Sequence, residues 1–335
     1  MMPLSRSRGA EARAIGDNMN ILVTGASGFL GRSVVATLLS RKHQVRALMR
    51  SGSAPGNWPE TVKTFRCDLA KDDLKEALVG VDAVIHLAGH SSATDGLDTA
   101  VRGTSRLCEA ISASQVKRIC HVSSLAVYDW RAANNILDEN CPLAEIATAT
   151  TDYAKSKLRQ EESVKALEGS MNVVTIVRPG FIWGRTRLWV DGVGRRLPRG
   201  YLLVAPAASI ALTHVDNCAD AVVTAALGGK GTFNIVDEPQ ISRRQYLQAY
   251  VAGSGASGIV IPISYQAGLR VVILLRHIFK VMLKIRRLPS LFDPARFEGQ
   301  FKPIIVSADR IRHELGWTPP LGFASAVDRS FNSQP

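Results

Sequence analysis

The 335-residue sequence has few aromatic residues, at 6%, and lacks any apolar run close to the ~18 residues that span a membrane. It also lacks cysteine or histidine pairs with ligand spacing, so we predict no metal site. The cysteines are odd in number and widely spaced: Cys67, Cys108, Cys120, Cys141 and Cys218. This usage is typical of a reducing compartment, and we expect a cytoplasmic protein.

Acidic residues are also scarce. The sequence has 29 Asp and Glu against 41 Lys and Arg, a formal net charge of +12, which favours anionic partners such as phosphates or a membrane surface. No stretch interleaves basic and aromatic residues as base-stacking modules do, so we expect no nucleic-acid partner. Residues 1–18 lack the apolar core of a signal peptide. We expect a disordered extension there, with Met19 as an alternative start of translation.

Apolar strands alternate with helical patterns from residue 20 to about residue 178. We predict strands over Asn20–Thr24, Gln44–Met49, Val62–Phe65, Ala83–Leu87, Arg118–Val122 and Val173–Val177, and helices over Asp73–Val79, Leu97–Ala113 and Asp152–Leu167. The alternation predicts an α/β fold with a doubly wound parallel sheet, Rossmann-like. Beyond residue 178 the pattern becomes irregular and predicts a smaller, interleaved C-terminal substrate lobe. A helix over Asn217–Leu227 and a strand over Thr232–Val236 are expected to return to the sheet.

A glycine-rich loop, TGASGFLG, joins the first strand to the first helix. Gly25 suits a tight turn, Gly28 lets the backbone approach a pyrophosphate, and Gly31 allows close packing of helix and strand. The free N–H groups of the helix N-terminus favour phosphates. The loop therefore predicts a dinucleotide site that also includes Ser27, Phe29 and Leu30. The predicted domains are 19–178 for NAD(P) binding, with returning segments near 214–236, and 179–335 mainly for substrate.

The end of the second strand bears on the choice of nicotinamide cofactor. It reads ALMRS, with Arg50 at the tip and no acidic residue before Glu60. An arginine there accommodates a 2′-phosphate, whereas an acidic residue would bind the ribose of NAD. We predict NADP, with NAD as the alternative if Arg50 only points into solvent.

A tyrosine and a lysine lie four residues apart on a predicted helix, in DYAKSK. This spacing places Tyr153 and Lys157 on one helical face, where an ammonium group favours the phenolate. Such a tyrosine can exchange a proton with an alcohol or a ketone. Ser123 and Ser124 follow the strand Arg118–Val122, at the edge of the sheet where ligands bind. An exposed helix face and a strand-end cap are the structural alternatives for these residues.

Several motifs together resemble the extended short-chain dehydrogenase/reductases of the NAD-dependent epimerase/dehydratase group. They are TGASGFLG, CDL, HLAG, SSLAVY, YAKSK, RPGFIWG, HVDN and ELGW, in family order from Asn20 to about Phe331. The resemblance implies that Asp68 contacts adenine, that Ala88 and Gly89 line the ribose, and that Lys157 binds the nicotinamide ribose while tuning Tyr153. It also implies that Ser124 is the catalytic hydroxyl, and adds Leu69, Leu87 and Pro179 to the cofactor contacts.

Four positions depart from the family pattern. Leu125 and Ala126 replace the Asp-Glu pair of the sugar dehydratases, so we do not expect sugar 4,6-dehydration. Ala100 replaces an asparagine that organises the active site in relatives. Ile210 stands where many sugar-nucleotide enzymes have a diphosphate-binding arginine.

Three functions stay open on these residues. The first is 4-epimerisation or 4-keto reduction of a nucleotide sugar by hydride transfer. The second is a 3-beta-hydroxysteroid-dehydrogenase-like reaction on a lipophilic alcohol, and the third is non-catalytic NADP sensing. Relatives often pair through two helices, so a homodimer is a further expectation.

A basic, otherwise apolar stretch lies near the C-terminus. Residues 259–288 contain six Lys or Arg and no acidic residue. Over residues 269–288 the pattern predicts an amphipathic helix that contacts a membrane peripherally, at its inner face, or flanks a lipophilic substrate. A lid or packing helix with a solvated edge is the alternative.

Overall fold

The computed structural model describes residues 18–89, 94–169, 173–282 and 290–332. The first part of the chain contains β1 (Asn20–Thr24), α1 (Phe29–Ser40), β2 (Gln44–Met49), β3 (Lys63–Arg66), α2 (Lys75–Leu78), β4 (Ala83–His86), α3 (Thr94–Ser112), β5 (Arg118–Val122), β6 (Ile136–Leu137), α4 (Asp152–Lys165) and β7 (Val173–Pro179). Of the predicted extension over residues 1–18, residues 1–17 lie outside the described residues.

The second part of the chain is less regular but richly structured. It contains β8 (Phe181–Trp183), β9 (Gly194–Leu197), β10 (Gly200–Val204), β11 (Leu212–His214), α5 (Val215–Gly228), β12 (Gly231–Ile235), α6 (Arg243–Ser254), β13 (Ile259–Ile263), α7 (Tyr265–His277), α8 (Pro294–Phe301), β14 (Ile305–Val306), α9 (Asp309–Leu315) and α10 (Phe323–Phe331). None of the helices in the described part of the chain has the length and apolar character to cross a membrane.

Seven strands form one parallel sheet in the order β12-β7-β5-β4-β1-β2-β3. The order reverses at β1, which lies between β2 and β4, and a crevice for ligands forms at the carboxyl ends of the strands at such a point. The predicted Rossmann-like α/β fold is confirmed. β12 pairs with β7, so the chain returns to the sheet after leaving it at residue 179.

Both faces of the sheet are covered, because alternate strand residues point to opposite sides. Ile21 and Val23 pack with α1 and α5, whereas Leu22 packs on the side of α2, α3 and α4. These side chains are fully buried, which explains why the strands read as continuous apolar runs.

The C-terminal lobe has a separate core, built around Trp183 and Tyr246, which are almost fully buried. Trp183 contacts Tyr246 edge-on, with ring centroids 5.3 Å apart. The predicted irregular stretch is thus partly wrong: it contains β-strands of three to five residues and the helix α6. Strands this short, separated by breakers, carry too few residues to show an alternating pattern.

The predicted helix over residues 269–288 is only partly present. α7 begins earlier, at Tyr265, and passes at Ile278–Met282 into a π-helical turn. Residues 283–289 lie outside the described residues. Arg276 does not face solvent freely, because it pairs with Asp293 at 3.2 Å.

Candidate active site

A cavity of about 1240 Å³ opens at the carboxyl ends of the parallel strands. It is lined by every residue predicted to bind cofactor or to act in catalysis: Gly25, Ser27, Gly28, Phe29, Leu30, Gly31, Arg50, Asp68, Leu69, Leu87, Ala88, Gly89, Ser124, Tyr153, Lys157 and Pro179. Residues that are distant in the sequence, from the first strand to the end of β7, therefore share one site. Their individual roles remain predictions.

The glycine loop depends on the absence of side chains. Gly25 has φ +70°, and a Cβ there would lie 2.9 Å from the backbone nitrogen of Ala88. A Cβ on Gly31 would lie 2.2 Å from the Gly25 carbonyl oxygen. Gly28 is the N-cap of α1, and no side chain caps this helix. The loop and the uncapped helix N-terminus fit the pyrophosphate of a dinucleotide.

Arg50 and Asp68 line the end of the cavity beside β2 and β3. Arg50 follows β2 and is exposed, and within the described residues no carboxylate lies within 4.0 Å of its guanidinium group. Arg32 braces the loop instead, donating hydrogen bonds to the carbonyl oxygens of Ser27 at 3.0 Å and Ala54 at 3.3 Å. The Asp68 carboxylate accepts a hydrogen bond from the Ala70 N–H at 3.0 Å.

Ser124 and Tyr153 meet at the centre of the cavity. Ser124 caps the 3-10 turn Leu125–Val127, where its Oγ accepts a hydrogen bond from the Ala126 N–H. Tyr153 lies in the first turn of α4, whose N-cap is Thr151. The side chains of Ser124 and Tyr153 are hydrogen-bonded to each other. The two hydroxyls can therefore address one substrate oxygen.

Burial raises the pKa of the Tyr153 phenol, and the Ser124 hydrogen bond and the Arg187 charge oppose that increase only in part. Tyr153 is therefore protonated at neutral pH. Burial also lowers the pKa of Lys157 to about 8, with Glu161 opposing. The Lys157 ammonium group donates to the Val122 carbonyl at 2.8 Å and to Gln160 Oε1 at 3.2 Å.

A buried polar line below the cavity was not predicted from the sequence. The Ala88 N–H donates to Thr24 Oγ1 at 3.3 Å, and Thr24 Oγ1 lies 2.7 Å from His86 Nδ1. His86 Nε2 lies 2.9 Å from Thr104 Oγ1, which donates to the Ala100 carbonyl. Burial, with the nearby Lys157 charge, lowers the pKa of His86 to about 3. A neutral, Nε2-protonated ring satisfies the whole line, which ties β1 and β4 to α3.

A buried ion pair fixes α4 against the sheet, and it too was missed. Arg178 on β7 donates to both carboxylate oxygens of Glu161, at 2.9 and 2.7 Å. The guanidinium carbon of Arg178 lies 4.7 Å from the centroid of the Tyr128 ring. Because Glu161 is one turn beyond Lys157, this pair holds α4 in place below the cavity. The sequence offered one signal for this pair, namely that Glu161 and Arg178 are charged residues in elements that are otherwise buried.

Apolar and aromatic side chains form part of the remaining cavity wall. They include Trp130, Phe181, Ile182, Trp189 and Val190. Ile210, at the position of the expected arginine, is buried in the core of the lobe and supplies no charge. Charged groups lie around this region as well, among them Arg131, which is 3.6 Å from Asp129, and Arg187, stacked over Phe29.

The five cysteines are unpaired, and no group of three or more His, Cys, Asp or Glu side chains in the described ranges could hold a metal ion. The polar groups in the cavity wall include hydroxyl, amine and backbone groups, and they lie around a glycine loop of the kind that binds dinucleotides.

Comparison with known proteins gives consistent relatives. The profile of the NAD dependent epimerase/dehydratase family matches residues 21–235. The chain is 28% identical over 339 residues to a 4-hydroxy-2-methyl-3-oxo-4-farnesyl-3,4-dihydroquinoline-1-oxide ketoreductase of Stigmatella aurantiaca, covering 92% of this chain and 95% of that protein. It is 28% identical over 336 residues to a 2-alkyl-3-oxoalkanoate reductase of Stenotrophomonas maltophilia (strain K279a), covering 93% and 98%. The UDP-glucose 4-epimerase of Thermus thermophilus, solved with NAD, is similar in fold, with a TM-score of 0.68 at 20% identity over 94% and 98% of the two chains.

Proposed function

The chain belongs to the NAD dependent epimerase/dehydratase family and is an NAD(P)-dependent enzyme of the extended short-chain dehydrogenase/reductase type, and from this premise we propose that it is an NADPH-dependent ketoreductase of a lipophilic ketone. The observation that carries the proposal is the group of apolar and aromatic side chains in the cavity wall, together with the burial of Ile210 away from the cavity. Two relatives that match nearly full length are named for reduction of a farnesyl-bearing and an alkyl-bearing oxo compound.

The residues supply proton transfer and orientation. NADPH, when bound, supplies the hydride that the ketone carbon receives. In the proposed role Tyr153 donates its phenolic proton to the carbonyl oxygen, and the Ser124 hydroxyl donates a hydrogen bond to the same oxygen. The raised pKa of Tyr153 suits this direction, because the phenol is protonated before the reaction. In the proposed arrangement Lys157, hydrogen-bonded to Gln160, lies on the ribose side of the site.

We assign NADP rather than NAD on the charge at the end of β2. Arg50 lines the adenosine end, and no acidic side chain stands at this strand end to bind a free ribose. Arg50→Asp should weaken NADPH binding strongly and NADH binding little, measured by fluorescence titration of each cofactor. Equal losses for the two cofactors would contradict the assignment.

A nucleotide sugar is the second candidate substrate, for epimerisation or 4-keto reduction. Arg131, Arg187 and Arg296 lie around the same cavity and could meet a diphosphate in place of the missing arginine. The cavity is also large enough for a second nucleotide beside the cofactor.

The test is a substrate panel with the full-length chain. NADPH consumption is followed with a 2-alkyl-3-oxoalkanoate, a prenylated aromatic ketone, a 3-oxosteroid and a nucleotide 4-keto sugar, and UDP-sugar epimerisation is followed in parallel. We expect turnover of the lipophilic ketones. Turnover of nucleotide sugars alone would replace the first candidate by the second. Tight NADPH binding without turnover of any ketone or sugar would favour the non-catalytic sensor.

A further inference from the structure

The C-terminal lobe leaves an apolar face uncovered. Large apolar side chains are exposed on β13, on α7 and on the π-helical turn that follows α7: Ile259, Val260, Ile261, Val271, Ile273, Leu274 and Val281. We call these seven residues the β13–α7 face. Ile259 is 71% exposed and Leu274 is 58% exposed. Exposed aliphatic residues are ordinary on a protein surface when they are scattered, but not when they are grouped. β13 is also an edge strand, since it pairs with β10 alone.

The sequence of this segment is strongly basic. Residues 239–292 contain eight Lys or Arg and no Asp or Glu. Of the eight, Arg243 is buried, Arg276 pairs with Asp293, and three lie outside the described residues: Lys284, Arg286 and Arg287. Arg270 and Lys280 are exposed on the same helical segment as Ile273 and Leu274. Exposed apolar residues flanked by basic residues match the chemistry of an anionic lipid surface.

The face is attached to the wall of the active-site cavity. Gly268 of α7 is buried, and a Cβ there would lie 2.6 Å from the ring of Phe297 on α8. The Arg276–Asp293 pair also joins α7 to the start of α8. α8 in turn lines the cavity with Ala295, Arg296, Gly299 and Gln300. One helix pair therefore has a solvent-exposed apolar side and a cavity-lining side.

We propose that the β13–α7 face docks on the surface of a bilayer that contains anionic lipid. A second copy of the chain is a poorer occupant, because a two-fold dimer brings the same patch onto itself and would set its basic residues against each other. Docking places α8, and with it the cavity, beside the membrane. This consequence rests on the proposed function, because only a lipophilic substrate would gain from it. Docking itself needs neither substrate nor turnover.

The test is flotation of the full-length protein with vesicles, in the absence of cofactor and substrate. One set contains phosphatidylcholine with 30% phosphatidylglycerol, and the other contains phosphatidylcholine alone. We expect at least tenfold more bound protein on the anionic vesicles, and a loss of binding as salt rises and screens the charges.

Two variants locate the binding surface. Ile273→Ser combined with Leu274→Ser, and Arg270→Glu combined with Lys280→Glu, should each lower binding at least tenfold while leaving the far-UV CD spectrum unchanged. The matched control is Lys63→Glu combined with Lys117→Glu, two exposed lysines of the nucleotide-binding part that give the same change in net charge.

Three outcomes would overturn the proposal. They are no flotation with anionic vesicles, equal loss in the control variant, and sedimentation showing a dimer that the Ile273→Ser, Leu274→Ser variant dissociates. The last outcome would assign the face to a second copy. Failure of the ketone panel with retained vesicle binding would reject the proposed function and leave the docking surface standing.

Discussion

The two sides of the cavity position their ligands by different means. The nucleotide-binding side uses backbone: glycines where a Cβ would clash, strand ends, and an uncapped helix N-terminus. The substrate side uses side chains, with Trp130, Phe181 and Trp189 on short strands and loops. Backbone geometry suits a ligand that is the same in many enzymes, whereas side chains can change without loss of the fold. The first side therefore indicates the chemistry, and the second indicates the substrate.

The largest expected effect separates catalysis from cofactor binding. Tyr153→Phe removes the proton donor, so kcat should fall by roughly 10²–10⁴-fold, the usual contribution of general acid catalysis. The affinity for NADPH should stay within about twofold, because the backbone side of the cavity is untouched. Steady-state rates and fluorescence titration measure the two quantities. Tyr265→Phe, at a position that does not line the cavity, is the control. An active Tyr153→Phe enzyme would remove Tyr153 from its assigned role.

The second-largest expected effect is a difference in unfolding free energy between breaking one ion pair on each side of the cavity. Glu161→Gln breaks the buried pair with Arg178 and should cost about 3–5 kcal/mol of unfolding free energy. Asp293→Asn breaks the half-exposed pair with Arg276 in the substrate lobe and should cost less than about 1 kcal/mol. Urea unfolding of both variants measures the difference. Equal costs would show that the catalytic helix does not depend on its buried pair.

A smaller effect concerns a histidine of the nucleotide-binding side. His121 is buried, and in the described structure neither ring nitrogen has a hydrogen-bond partner, a situation that costs about 1–3 kcal/mol. Burial, with the charge of Lys157, lowers the pKa of His121 well below its ordinary value. The unfolded chain therefore takes up the proton first as pH falls, and the stability present above about pH 6.5 is lost towards acid.

His121→Leu should accordingly raise the melting temperature, and by more at pH 5 than at pH 8. Thermal unfolding followed by CD at the two pH values measures this. A variant that is destabilised equally at both would indicate that the ring is held by a partner.

The smallest expected effect is on the pKa of Tyr153, which a residue of the substrate side influences. Arg187 of the substrate lobe lowers the pKa of Tyr153, so Arg187→Gln should raise it. Alcohol oxidation requires the deprotonated phenol, and its rise in rate should therefore move to higher pH. Arg185→Gln, in the same turn but outside the cavity lining, is the control. An unchanged pH profile in Arg187→Gln would break the electrostatic link between the lobes.

The sequence predicted the backbone side far better than the substrate side. The bounds of β1, β2 and β5 agree to the residue, because buried parallel strands read as apolar runs. The glycine loop was recognisable because its residues are contiguous. The Glu161–Arg178 pair was not, since it depends on how α4 packs on β7.

The substrate side escaped prediction for the same reason, since its aromatic wall comes from separate short elements. The prediction of an amphipathic helix over residues 269–288 missed its start, since α7 begins at Tyr265. The structure leaves Ile273 and Leu274 of this helix exposed. The direct tuning of Tyr153 by Lys157 stays a prediction, because the ammonium group is bonded to the Val122 carbonyl and to Gln160.

The line from the Ala88 N–H through Thr24, His86 and Thr104 to the Ala100 carbonyl has a consequence for the behaviour of the site with pH. The line begins at a backbone amide that keeps its proton and ends at a carbonyl oxygen that does not become protonated, so no proton is transferred along it. With the pKa of His86 at about 3, the line also holds the same charge from pH 5 to pH 9. The line therefore connects β1, β4 and α3 without a change in its own protonation. A change of cofactor affinity across that range therefore reports the ionisation of the ligand or of Lys157, whose pKa burial lowers to about 8, and not a loosening of the strands that hold the site.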